Sequence, residues 1–100
     1  MVSDEVLRFL GLVKKSGHLV SGEFMTEKAV KSGKAEFVMI AGDVSDNTRK
    51  KFRNMCEYYH VPLREYADKD SLGHSLGKEY RASLAVTDEG LAKALMKKVD

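Results

Sequence analysis

The run Phe37-Val38-Met39-Ile40-Ala41, closed by Gly42, constrains this chain more than any other feature. It is apolar without alternation, the pattern of a strand covered on both faces. It is far too short to cross a membrane as a helix. A strand covered on both faces needs helices above and below it. The rest of the chain supplies them, because helical and strand patterns alternate from end to end.

Ser3 is placed to cap a first helix, with Asp4 and Glu5 at its positive end and Leu7, Leu10 and Val13 or Leu12 as its apolar stripe. Ser16-Gly17 stops it. A short strand is expected over 18–21. Gly22 turns the chain into a second helix that ends at Ser32-Gly33. The central strand is expected over 35–41, and Ser45 caps a third helix whose face carries Thr48, Phe52, Met55, Cys56 and Tyr59. A third strand is expected over 61–66; Pro62 near its start marks it as an edge. Asp68 or Asp70 opens a short helix through Leu72 and Leu76. A fourth strand over 82–86 and a final helix capped by Asp88, carrying Leu91, Leu95 and Val99, complete the chain. The expected fold is an α/β three-layer α/β/α sandwich with a mixed sheet of about four strands. At 100 residues, with no linker, repeat or low-complexity stretch, it reads as one domain over 1–100.

The composition excludes more than it specifies. Seventeen basic residues against fifteen acidic ones leave a net charge of only +2, so the placement of the cations matters more than their sum. Cys56 is the one cysteine, which rules out an internal disulfide. It lies on the apolar stripe of the third helix and reads as core packing. The N-terminus is acidic and lacks the layout of a signal peptide, so a cytoplasmic, reducing compartment is expected. His18, His60 and His74 have no metal-ligand spacing, and Gly73 and Gly77 make no phosphate loop. Asp43 and Asp46 read as turn and first-turn helix residues. No enzyme, metal site or cofactor is expected.

Three segments stand out as candidate binding residues. On the second helix, Met25, Ala29 and Val30 bracket one face, read as the core side. Phe24, Lys28 and Lys31 cluster on another. An aromatic ring flanked by lysines can stack on a base while the ammonium groups meet phosphates, beside the helix N-terminus at Gly22. The same pattern also fits a Phe24 that plugs the core edge beside solvated lysines. The segment Gly77-Lys78-Glu79-Tyr80-Arg81 mixes charge with an aromatic in a loop before the fourth strand. Arg49-Lys50-Lys51 with Arg53 is either a solvated helix face or a secondary electrostatic contact.

Gly22, the block Lys28-Ala29-Val30-Lys31-Ser32-Gly33-Lys34-Ala35, the block Phe37 to Ser45, and Leu72-Gly73 with Gly77 together resemble the kink-turn-binding ribosomal protein family, the superfamily of the large-subunit proteins called L-seven-Ae and L-thirty-e. Arg8-Phe9-Leu10-Gly11-Leu12 and Asn47-Thr48-Arg49-Lys50-Lys51 look closest to its small bacterial YlxQ-type branch. The resemblance implies an α/β/α sandwich and RNA binding through the turn and helix after the first strand plus the loop before the last. On that pattern Gly22 starts the recognition helix and Lys28 meets the RNA. Glu23 stands where the family has a threonine. Phe24 and Met25 stand where it has Asn and Glu or Gln, and Ser32 where arginine is common. Hydrogen-bond readout of sheared G·A pairs is therefore weaker or made differently, and Lys31 supplies the charge that Ser32 lacks. Lys78, Glu79 and Tyr80 match the loop that packs on an extruded nucleotide, which Tyr80 reaches by stacking, and Arg81 steers or clamps. The implied partner is structured RNA, kink-turn-like or internal-loop, with the ribosome a candidate setting, and a monomer is expected. The alternative on the same fold is a protein-interaction module docking through Phe24 and Met25. A third possibility is a degenerate substrate-binding domain of the type attached to RNA methyltransferases.

Overall fold

The apolar run becomes strand β2 (Phe37–Ile40), and all four of its side chains are fully buried in the computed structural model, which describes residues 2–100. Met1 of the expected 1–100 span lies outside the described residues. Strand β4 (Ser83–Val86) is equally buried and runs antiparallel to β2, with Val38 opposite Ala85. Strand β1 (Leu19–Ser21) pairs antiparallel with β4, and β3 (Leu63–Glu65) pairs parallel with β2. The order β1-β4-β2-β3 makes a mixed sheet with β3 at an edge, where Pro62 is tolerated. Each strand is shorter than the stretch that signals it. The Ala35 amide donates to Ala29 O rather than to a neighbouring strand, whereas the Glu36, Ala41 and Tyr66 amides still bond across the sheet, to Val86 O, Ala82 O and Ile40 O.

Helices cover both faces. α1 (Asp4–Lys15), α4 (Lys69–Ser75) and α5 (Glu89–Val99) pack together on one; α2 (Glu23–Lys31) and α3 (Asp46–Tyr59) lie on the other. Four of these helices start on a side chain that accepts a first-turn amide: Ser3 for α1, Ser45 for α3, Asp68 for α4 and Asp88 for α5. Asp68, not Asp70, caps α4.

Three expected faces need correction. On α1 the buried residues are Val6, Leu10 and Val13, while Leu7 is only half-buried and Leu12 is 63% exposed. Val6, Leu10 and Val13 fall within about 60° of one another on the helix, and Leu7 sits about 100° from Val6. On α2 the core side is Thr26, Ala29 and Val30; Met25 is 42% exposed. Thr26 lies angularly between Ala29 and Val30, so its register wins over the greater hydrophobicity of Met25. Its hydroxyl is buried without a hydrogen-bond partner among the described residues, as is that of Ser83 on β4. On α3, Phe52, Met55 and Cys56 are buried as expected, but Tyr59 is exposed. Its direction is right, yet it is the last residue of the helix. His60 then takes a left-handed conformation and turns the chain away.

Candidate nucleic-acid interface

Antiparallel pairing of β1 with β4 brings the exit of one strand and the entry of the other to the same end of the sheet. Gly22, just past β1, donates its amide to Ser83 O at 2.9 Å. It does so with φ 93° and ψ 156°, where an L-side chain is strained, although no atom crowds the space a Cβ would take. Glycine is required here for its backbone.

Arg81 ties the second segment to the same place. Its Nε donates to Ser21 Oγ at 3.0 Å across 60 residues of sequence, and its Nη1 donates to Tyr80 O at 2.9 Å. Its amide donates to Lys69 O. The result is a concavity of about 480 Å³ lined by Gly22, Glu23, Lys78, Glu79, Tyr80 and Arg81, together with Ala82. The turn after β1 and the loop before β4 are thus two walls of one cleft.

The loop owes its shape to Gly73. A Cβ built there would lie 2.2 Å from Tyr80 Cα, so the α4 backbone sits directly against the loop backbone. Gly77 has φ 74°, and the Lys78 amide donates back to Gly73 O at 2.8 Å. Held this way, Tyr80 keeps 56% of its surface exposed.

The second wall continues along α2. Among the described residues, Gly22 is the one helix N-cap without a side-chain acceptor, so the amides opening α2 keep no side-chain partner. Phe24 is 74% exposed, which excludes its plugging the core edge. With Glu27, Lys28, Lys31 and Ser32 it lines a second concavity. The cations here differ in commitment. Lys28 makes no ion pair or side-chain hydrogen bond among the described residues. Lys31 pairs with Glu27 at 2.8 Å. Glu27 also meets Lys51 of α3 at 2.7 Å, and Lys51 reaches Glu23 at 3.3 Å. Hydrogen bonds from Lys31, then Lys51, hold the Glu27 carboxyl down at about 2. These exposed pairs add little stability, but they spread the charge of two acidic residues over lysines within the cation-bearing face.

Groups that could do covalent chemistry are committed elsewhere. Cys56 is 2% exposed, and burial pushes its thiol up to about 11. Asp43 accepts the Lys69 amide, and Asp46 pairs with Arg49. Arg49 also reaches Glu65 and Gly42 O, so it fastens the loop after β2. A concavity of about 780 Å³ between α1 and α4 mixes Arg8 with Asp4, Asp70 and Glu79 and holds only Glu79 of the expected residues. Sequence reasoning missed Ser21, and it named Gly73 and Lys51 without the parts they play in shaping the site. For Gly73 the one available signal is a glycine inside an otherwise helical pattern, which often marks a close approach.

Fold and cleft together define a small sandwich that presents an aromatic and cationic surface at one end of its sheet. The chain belongs to the ribosomal protein L7Ae/L30e/S12e/Gadd45 family, whose model matches residues 4–96. It is 40% identical over 91 residues to the RNA-binding protein YlxQ of Bacillus subtilis (strain 168), covering 91% of each chain. It is 33% identical over 89 residues to the protein of that name from Enterococcus faecium, covering 89% of this chain and 85% of the relative. A solved structure of a Bacillus halodurans protein of unknown function matches with a TM-score of 0.93 at 30% identity, over 98% of this chain and 99% of that one. The 15.5kD RNA binding protein of Giardia lamblia shares the fold, with a TM-score of 0.80 at 22% identity over 99% and 91%. The resemblance to this family and its YlxQ-type branch is thereby established, and with it a non-catalytic protein.

Proposed function

We propose that the chain is one RNA-binding domain, monomeric and cytosolic, that holds a kink-turn-like or internal-loop RNA, with ribosomal RNA as a candidate. The observation that carries this reading is the meeting of two segments in one cleft. Gly22 and Glu23 face Lys78, Glu79, Tyr80 and Arg81 there, beside exposed Phe24 and unpaired Lys28. Family membership and the RNA-binding names of the relatives support it.

Lys28 meets a phosphate. The uncapped amides at the start of α2 add fixed partial positive charge for a second phosphate or a base-edge acceptor. Tyr80 and Phe24, and Met25 at the margin, offer apolar surface to a nucleotide that leaves the stack. Lys31 contributes by sharing its charge between Glu27 and the RNA. Arg81 holds the two walls at a fixed separation. A bent RNA fills both walls, whereas a straight duplex reaches only one, so the protein selects the bent state by population shift.

The test is a titration of a kink-turn RNA against a straight duplex of equal length, with wild-type protein and Lys28→Ala. Tighter binding of the kinked RNA is expected, and Lys28→Ala should lower the salt slope of log K by about 0.9, the share of one phosphate contact. Equal affinity for both RNAs sinks the shape-selective reading. RNA affinity that barely changes with salt favours instead an apolar docking patch at Phe24 and Met25, both of which are exposed.

A further inference from the structure

We infer that the outer face of α3 is a second nucleotide-binding surface, one that takes single-stranded RNA flanking the element held at α2. The inference rests on the RNA-binding reading above and extends its footprint. At about 100° per residue, Arg53, Glu57, Lys50, Asn54 and Tyr58 follow one another across an arc of about 140°, opposite the buried Phe52, Met55 and Cys56. All five are exposed. The basic series that begins at Arg49 is divided by helix geometry into two kinds. Arg49 and Lys51 are bound to carboxylates of their own chain. Lys50 and Arg53 have no ion-pair partner among the described residues. Glu57 is the one carboxylate on the arc, so two cations stand against one anion.

Tyr58 gives this face its chemistry. It is 76% exposed, more than any other large apolar side chain among the described residues. The ring of Tyr59 meets it edge-on, with centroids 4.9 Å apart and planes at 77°. That contact steadies the Tyr58 ring and leaves its surface available. A steadied ring with two free cations and an amide suits a base to stack, phosphates to neutralise and a base edge to hydrogen-bond. Bases in a duplex are already stacked, so the ligand is single-stranded. The face runs from Lys50 to Tyr58 over about 12 Å, longer than the ~3.4 Å rise of one stacked nucleotide. A protein partner fits less well, since one apolar ring among Lys, Arg, Asn and Glu is not a contiguous apolar patch.

The position is continuous with the first site. Tyr58 stands within about 20° of Lys51 around the helix. Lys51 reaches Glu23 and Glu27 on α2. A strand leaving the α2 surface on that side meets α3 next.

The experiment compares a kink-turn RNA without overhangs and the same RNA carrying a tail of about six uridines on either strand. The proteins are wild type, Tyr58→Ala, Lys50→Ala/Arg53→Ala and Lys28→Ala, each checked by thermal melting. The α3 substitutions lie on exposed positions and should leave the melting midpoint unchanged. The expected result is that Tyr58→Ala weakens binding of the tailed RNA about fivefold or more. The double variant should lower its salt slope by about 1.4. Neither should affect the RNA without overhangs, while Lys28→Ala weakens both. If the α3 variants bind tailed RNA as wild type does, and Lys28→Ala still weakens both RNAs, the second surface alone is overturned. If wild type binds neither RNA, the RNA-binding reading falls and the α3 surface with it.

Discussion

Replacing Gly73 with alanine would put a methyl group 2.2 Å from Tyr80 Cα and 2.6 Å from the Tyr80 carbonyl carbon and amide nitrogen. Ordinary contact begins at 3.4 Å, so the loop or the helix must yield by about 1.2 Å. The obstructing atoms are backbone and cannot rotate aside. Alanine gains about 1 kcal/mol over glycine in a helix interior. Overpacking of this kind costs about 1–3 kcal/mol. A clash against backbone falls at the upper end of that range, so the net expectation is a loss of about 2 kcal/mol, at roughly 4–8 °C in Tm per kcal/mol for a domain of this size. Because the displaced residue is Tyr80, RNA binding should weaken by about tenfold, the scale of one lost stacking contact. Urea and thermal unfolding check the first part, and fluorescence anisotropy with a labelled kink-turn RNA checks the second. Gly90→Ala serves as the control, since its Cβ would meet only Asp88 Oδ2, at 3.4 Å. It should be neutral or stabilising. A Gly73→Ala protein with the melting point of wild type would refute the close-approach argument. Unchanged RNA affinity in a destabilised variant would show instead that the loop conformation is not what the RNA reads.

Two further substitutions test the charge arrangement and the packing under α2. Glu27→Gln frees Lys31 and leaves Lys51 with Glu23 alone, so RNA affinity should rise and the salt slope steepen by up to about 0.9. The Glu27 carboxyl sits at about 2 in the folded protein against an ordinary 4.5, so its stabilising share is present above 4.5 and lost as pH falls toward 2. The stability difference between wild type and Glu27→Gln, read from urea midpoints, should therefore shrink across that range; a difference that grows on acidification contradicts the assignment. Thr26→Val removes a buried hydroxyl that has no partner and keeps the shape of the side chain. Stability should hold or rise by up to about 1 kcal/mol, and a loss of more than that would mean the hydroxyl is satisfied.

The central strands, the helix caps and the edge position of Pro62 were legible because each rests on local rules: an unbroken apolar run, an oxygen before a helical stripe, a missing amide. Met25 and Thr26 were not, because hydrophobicity favoured one and register the other, and only the sheet beneath α2 decides between them. Tyr59 was placed in the right direction but not at the right depth, since wheel arithmetic does not say where a helix overruns the layer it packs on. For the candidate site, both segments could be singled out from the sequence, but their meeting could not. It depends on β1 and β4 being neighbours, and the bond from Arg81 to Ser21 spans 60 residues. The division of the basic series at Arg49 into bound and free cations was largely hidden, because, Asp46 apart, the carboxylates that capture Arg49 and Lys51 lie on other elements.

That bond across 60 residues has a consequence in time as well as in space. During synthesis the helix α2 emerges long before residues 78–83, and until β4 inserts between β1 and β2 there is no second wall. A nascent chain therefore offers an RNA only half of the cleft, and the grip becomes complete as the sheet closes. Both walls exist only once the sheet is closed, so RNA should shift the unfolding equilibrium of the whole protein rather than of a local loop.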